Sequence, residues 1–171
     1  MQSTAITFRQ LSFSESKTYI LTALFIIGNI ALPQMFHLIP NGGITWLPIY
    51  FFTLVGAFTC GWRVGIMTAL LSPVVNSLFF GMPLMALLPA IMLKSTTLAL
   101  CASLAAQRFQ KASLLVLAGV VLSYQLIGGA GEWLLTGRFS AACQDFTIGV
   151  PGMLLQIFGG WLIINKLILK K

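Results

Sequence analysis

The sequence predicts an all-α membrane protein: six transmembrane helices in a single compact bundle, with both termini cytoplasmic. Three observations carry that prediction. The 171 residues are 58% hydrophobic and only 8% charged, whereas a soluble domain carries roughly a quarter charged residues. The apolar residues fall in long continuous runs without two-residue alternation, which excludes a closed β-barrel as the spanning structure. The basic residues sit in the gaps between those runs and segregate to one side when six spans are assumed.

The elements follow in order along one domain, residues 1–171. A short N-terminal interfacial segment over about residues 1–17 precedes the first run. Within it Ser12-Phe13-Ser14-Glu15 matches a capping box, in which the Ser12 hydroxyl accepts from an amide at the helix start and Glu15 reaches back. The first span covers Thr18 to Leu38, and Pro40-Asn41-Gly42-Gly43 is a turn. The second, Ile44 to Cys60, is short against the roughly 20 residues a bilayer needs. The hinge Gly61-Trp62-Arg63 leads to a third span, Val64 to Phe80, which Ser72-Pro73 is expected to kink. Gly81-Met82-Pro83 then breaks the chain. A fourth span continues to Ala106, and Gln107 to Lys111 separates it from a fifth, Ala112 to Thr136. The loop Gly137 to Gln144 precedes a sixth span, Asp145 to Leu169.

With the N-terminus cytoplasmic, that side holds Arg9, Lys17, Arg63, Arg108, Lys111, Lys166, Lys170 and Lys171. The opposite side holds Arg138 alone, with Lys94 inside a span. This bias matches the positive-inside rule, and it accounts for the net charge of +7 without a nucleic-acid partner. Cys60, Cys101 and Cys143 lie far apart and His37 is the sole histidine, so no metal site and no cofactor are expected. There is no GxSxG, HExxH or P-loop motif. An enzyme is therefore not expected, and neither is an ATP site within this chain.

The specific-looking polar residues gather at the outer face. His37, Asn41 and Trp46 flank the first outer loop, Asn76 and Ser77 the second, and Glu132, Arg138, Gln144 and Asp145 the third. Lys94 lies mid-span, where a charge is costly unless it faces protein, water or a partner. Function and a structural ion pair are both open for it, with Glu132 as the natural counter-ion. Gln125, Gly128, Gly129 and Glu132 follow i, i+3, i+4, i+7 spacing and share one helical face; tight helix packing accounts equally well for the glycines. Trp46 and Trp133 are interfacial anchors or stacking platforms for a planar ligand. The candidate substrate-binding set is Lys94, Glu132, Asn76, Gln125, Trp46, Trp133, Tyr124, Arg138, His37 and Asn41. It suits a polar solute with a flat ring and an anionic group. Leu70–Pro83 reads as a wall and lid of that site, or as plain loop geometry.

The short second span beginning Gly42-Gly43-Ile44-Thr45-Trp46-Leu47-Pro48, the hinge Gly56 to Gly65, and Leu70–Pro83 together resemble the substrate-binding (S) subunits of energy-coupling factor (ECF) vitamin transporters. The resemblance implies a multi-pass protein of the bacterial cytoplasmic (inner) membrane that captures a micronutrient at its outer face. The site would lie under the first two outer loops and against helices four to six. It implies as partners the lipid bilayer, a membrane-embedded coupling subunit and two cytoplasmic ATPase subunits, with toppling of the S subunit to release cargo. The family docks its coupling subunit through AxxxA spacing on the first helix. This chain lacks that spacing, but Ala23 and Ala31, eight residues apart, share a face with Ile27 between them. An ATP-independent carrier or channel, or a small intramembrane enzyme, are the alternatives; a carrier requires a polar path through the cytoplasmic half.

Overall fold

The computed structural model describes residues 10–169, with side chains through Lys166. Arg9, Lys170, Lys171 and the first nine residues of the interfacial segment lie outside the described residues. The described chain is all helical: α1 (Ser16–Phe36), α2 (Gly42–Trp46), α3 (Phe51–Cys60), α4 (Trp62–Phe80), α5 (Leu88–Phe109), α6 (Leu114–Thr136), α7 (Phe139–Ala142), α8 (Gln144–Thr147), α9 (Val150–Leu154) and α10 (Gly160–Leu169). Among the described residues, four segments are long and apolar enough to cross a membrane: α1, α4, the run Met85–Phe109 that contains α5, and α6.

The other two expected spans are broken, for local reasons. The second is divided at Leu47, which adopts a left-handed conformation (φ 46°), so only the shorter apolar segment Pro48–Cys60 remains continuous. The sixth begins with the separate turn α8 and restarts at Val150, where Pro151 occupies the first helical turn. A π turn over Leu155–Gly159 then joins α9 to α10.

Helix ends are set by ordinary signals. Ser113 caps α6 by accepting from the Val116 amide at 3.3 Å. Gly81 and Gly137 end α4 and α6 in the left-handed region (φ 68° and 67°), where a side chain is disfavoured. At the N-terminus half of the expected capping box forms: the Ser12 amide donates to Glu15 Oε1 at 3.0 Å. Phe13 and Ser14 form a turn there, and the helix begins at Ser16. α4 runs without interruption through Pro73.

The packing is apolar outside and selectively polar inside, as expected of a protein solvated by lipid. Ile20, Leu24 and Ile27 on α1, Leu104 on α5 and Leu115 and Leu126 on α6 are exposed. α3 is enclosed by its neighbours, with Leu54, Val55, Ala57 and Phe58 fully buried. Close approach of α3 and α4 depends on Gly65, where a Cβ would stand 2.5 Å from that of Ala57.

Asn29 ties α1 to the bundle. Its Nδ2 donates to Thr53 Oγ1 (2.9 Å) and Ser72 Oγ (3.1 Å), and its Oδ1 accepts from the Phe52 amide (3.0 Å). Asn76 completes the network by donating to the Asn29 and Ser72 carbonyls at 2.8 and 3.2 Å. Asn29→Leu leaves the part-buried Phe52 amide without its acceptor and the buried Thr53 and Ser72 hydroxyls without their donor, which costs about 1–3 kcal/mol. We expect a matching drop in the thermal stability of the detergent-solubilised protein, with ligand binding at temperatures where the variant is folded unchanged. A variant as stable as wild type would show the network to be dispensable.

Candidate functional site

Where α5 begins and α6 ends, three charges meet, two of them buried (Lys94 and Asp145) and one part-buried (Glu132). Lys94, on α5, is 4% exposed. Its ammonium donates a directed hydrogen bond to Asp145 Oδ2 of α8 at 2.9 Å. It also stands 2.5 Å from Glu132 Oε2 of α6, an ion pair without hydrogen-bond alignment. Two of the chain's three acids thus converge on Lys94, the one buried lysine among the described residues.

The sequence builds this meeting one turn at a time. Gly128 precedes Glu132 by four residues, on the same face of α6. A Cβ there would lie 2.8 Å from Lys94 Cγ and 3.2 Å from its Cα, so the glycine lets α5 close onto α6 at the depth of the charge. Gly129 similarly faces the Ala142 carbonyl, 3.3 Å from where its Cβ would be, and this seats the turn that leads to Asp145.

Above the charges lies a cavity of about 520 Å³, within the range of small-molecule sites. Lys94, Glu132, Arg138, Gln144 and Asp145, with the hydroxyls of Ser140 and Thr147, supply polar lining, and Leu47, Ile91 and Ile148 part of the apolar lining. Gly43 and Ile44 of α2 and Tyr50 after it close one side. That roof is held from behind: Trp46 stacks on Phe36 (ring centroids 5.3 Å apart), and Gly152 of α9 packs directly against the Trp46 carbonyl.

Tyr50 is 4% exposed and lines the cavity, and its hydroxyl makes no hydrogen bond to another described residue. Its ring lies 5.7 Å from that of Tyr124. Behind it a second buried polar group forms, in which Gln125 Nε2 donates to the Tyr124 hydroxyl (3.1 Å) and that hydroxyl donates to Gln156 Oε1 (3.0 Å).

The structure therefore brings Lys94, Glu132 and Arg138 of the sequence-predicted set into one cavity. Tyr124 and Gln125 stand one layer behind it. Asn76 belongs to the Asn29 network, with Gln34 Nε2 3.4 Å from its Oδ1. Trp46 lies in the roof against Phe36, and Trp133 is half exposed and edge-on to Phe139. His37 ends α1, and Asn41 takes the left-handed turn position (φ 58°) before α2. None of the residues of Leu70–Pro83 lines the cavity.

Of the lining residues outside the sequence-predicted set, Tyr50 and Asp145 bear most on the chemistry. Tyr50 lies inside an expected span. Asp145 reads from sequence as a span start at the third outer loop, although the scarcity of acids makes it a partner for Lys94. Among the described residues no group of three His, Cys, Asp or Glu side chains is placed to hold a metal ion. A second cavity, about 450 Å³ between the opposite ends of α5 and α6, is almost entirely apolar.

No protein-family model, curated protein or solved structure gives a significant match to the chain.

Proposed function

We propose that this protein is the substrate-binding subunit of an ECF-type transporter, capturing a vitamin-like heterocycle for ATP-driven import by partner subunits. One observation carries the reading: a ligand-sized cavity with a largely buried Lys94–Glu132–Asp145 cluster, roofed by the α2 segment. In this reading the chain crosses the bacterial inner membrane six times with both termini cytoplasmic. α3 with its preceding turn and α9 with α10 are then the two irregular spans, and the cavity opens outward. Irregular backbone at membrane depth is tolerated where protein or a water-filled cavity surrounds it. The apolar lining at the other end of α5 and α6 supports capture by this chain over conduction through it.

The docking surface for the coupling subunit is the outward face of α1, where Ala23, Ile27 and Ala31 are all exposed. Ala31→Trp is expected to abolish uptake in cells while ligand binding by the purified protein stays as in wild type. Unchanged uptake removes that assignment. The reading as a whole is tested by co-purification with a membrane coupling subunit and two ATPases, with native mass spectrometry of the purified chain for a retained small molecule. Uptake by the isolated protein in liposomes without ATP would instead establish a carrier.

A further inference from the structure

We infer that the ligand of this cavity is a flat organic cation bearing N–H donors, such as an amidinium or a protonated aminoheterocycle. The inference rests on the proposed capture function only in treating the ligand as cargo; the charge class follows from the cavity itself.

The buried floor holds one positive charge and two negative ones. Lys94 is 4% exposed, and the Glu132 and Asp145 side chains are 13% and 11% exposed. In this low-dielectric setting the surplus carboxylate is costly until a counter-charge joins it. Arg138 lines the same cavity but is exposed at its rim, where water and salt screen its charge.

Hydrogen-bonding capacity points the same way. Two carboxylates offer four acceptor oxygens, and Lys94 engages Glu132 Oε2 and Asp145 Oδ2. Their other oxygens make no hydrogen bond to a described residue, and neither does the Tyr50 hydroxyl on the cavity wall. The floor is therefore acceptor-rich, and the Tyr50 ring adds an aromatic surface of the kind that attracts cations.

From sequence, the candidate set with Lys94 and Arg138 as its cations suits a ligand with an anionic group. In the fold the Lys94 ammonium is already held by two acids. Drawing it onto an anion would leave Glu132 and Asp145 buried together without compensation. Lys94 braces the acceptors; it does not anchor the ligand.

Benzamidine, benzamide and benzoate share one ring and nearly one size but carry positive, zero and negative charge. Their affinities for the purified full chain in nanodiscs, read by calorimetry, test the inference. Benzamidine is expected to bind at least ~10-fold tighter than benzoate, with benzamide between them. Asp145→Asn is expected to weaken benzamidine ~10-fold or more, and Arg138→Gln to strengthen it about two- to fivefold by removing a nearby like charge. Benzoate binding as tightly as benzamidine, no preference among the three, or weaker benzamidine binding in Arg138→Gln overturns the inference. Should Asp145→Asn fail to fold, the wild-type ranking and Arg138→Gln decide it. Benzoate preference in a chain that still co-purifies with a coupling subunit sinks the charge class alone. Benzamidine preference in a chain that never does so sinks the transport reading alone.

Discussion

Lys94→Ala is expected to destabilise the protein by about 3–5 kcal/mol and to abolish ligand capture. The size follows from what remains after truncation. Glu132 and Asp145 both reach the Lys94 ammonium in a largely buried site, and without it two carboxylates share an apolar pocket. The two like charges then repel each other and the cavity relaxes to separate and hydrate them, which destroys the acceptor geometry. A loss of fold alone could mimic a loss of site, so the companion variant matters. Lys94→Met combined with Glu132→Gln and Asp145→Asn removes all three charges while keeping side-chain volume. Replacing a buried ionic cluster with neutral groups is often neutral or stabilising, so this triple variant should melt close to wild type and still fail to bind. Thermal unfolding in detergent and calorimetry on the same preparations check both halves. If Lys94→Ala binds cargo as tightly as wild type, the pocket assignment is wrong. If the triple variant binds it as tightly, the charges have no part in recognition.

Lys94 and Glu132 were legible in the sequence because a charge inside an apolar run has few places to go, and an acid on the next span is its natural counter-ion. The glycine spacing before Glu132 was legible for a related reason: only a small residue lets a lysine-bearing helix approach so closely. Asn76 lies outside the cavity although the sequence places it in the candidate set, because a buried amide in a membrane helix reads alike whether it lines a site or bonds a neighbour. Rotation about the helix axis decides between them, and in lipid that rotation leaves little trace, since both faces are apolar. The packing of α4 against α1 turns Asn76 toward Asn29 and away from the cavity. Tyr50 was hidden by a different effect. A run of apolar residues from Ile44 to Cys60 looks continuous, and only the left-handed backbone at Leu47 reveals that it folds over the site before it becomes a helix.

That fold-over is where the second large effect is expected: Gly152→Ala should lower ligand affinity at least ~10-fold and destabilise the protein by about 1–3 kcal/mol. A Cβ at Gly152 would stand 2.4 Å from the Trp46 carbonyl carbon, 2.5 Å from its oxygen and 2.9 Å from Leu47 Cβ. Two of these neighbours are backbone, so no flexible side chain can swing aside, and the segment itself must move. It is the segment that carries Gly43, Ile44 and Tyr50 to the cavity. Displacement therefore reaches the ligand without any change to a charged residue. Gly119, on α6, provides the comparison, because a Cβ there meets nothing within 4 Å. The same exchange at Gly119 should stabilise the protein by about 0.5–1 kcal/mol through helix propensity and leave affinity unchanged. Two identical one-carbon additions in one chain should thus move stability in opposite directions, and only one should touch binding. Unfolding curves and ligand titrations on the pair test this directly. If Gly152→Ala behaves like Gly119→Ala, the α2 segment is not seated on α9 as described, and its role as the roof of the site falls with it.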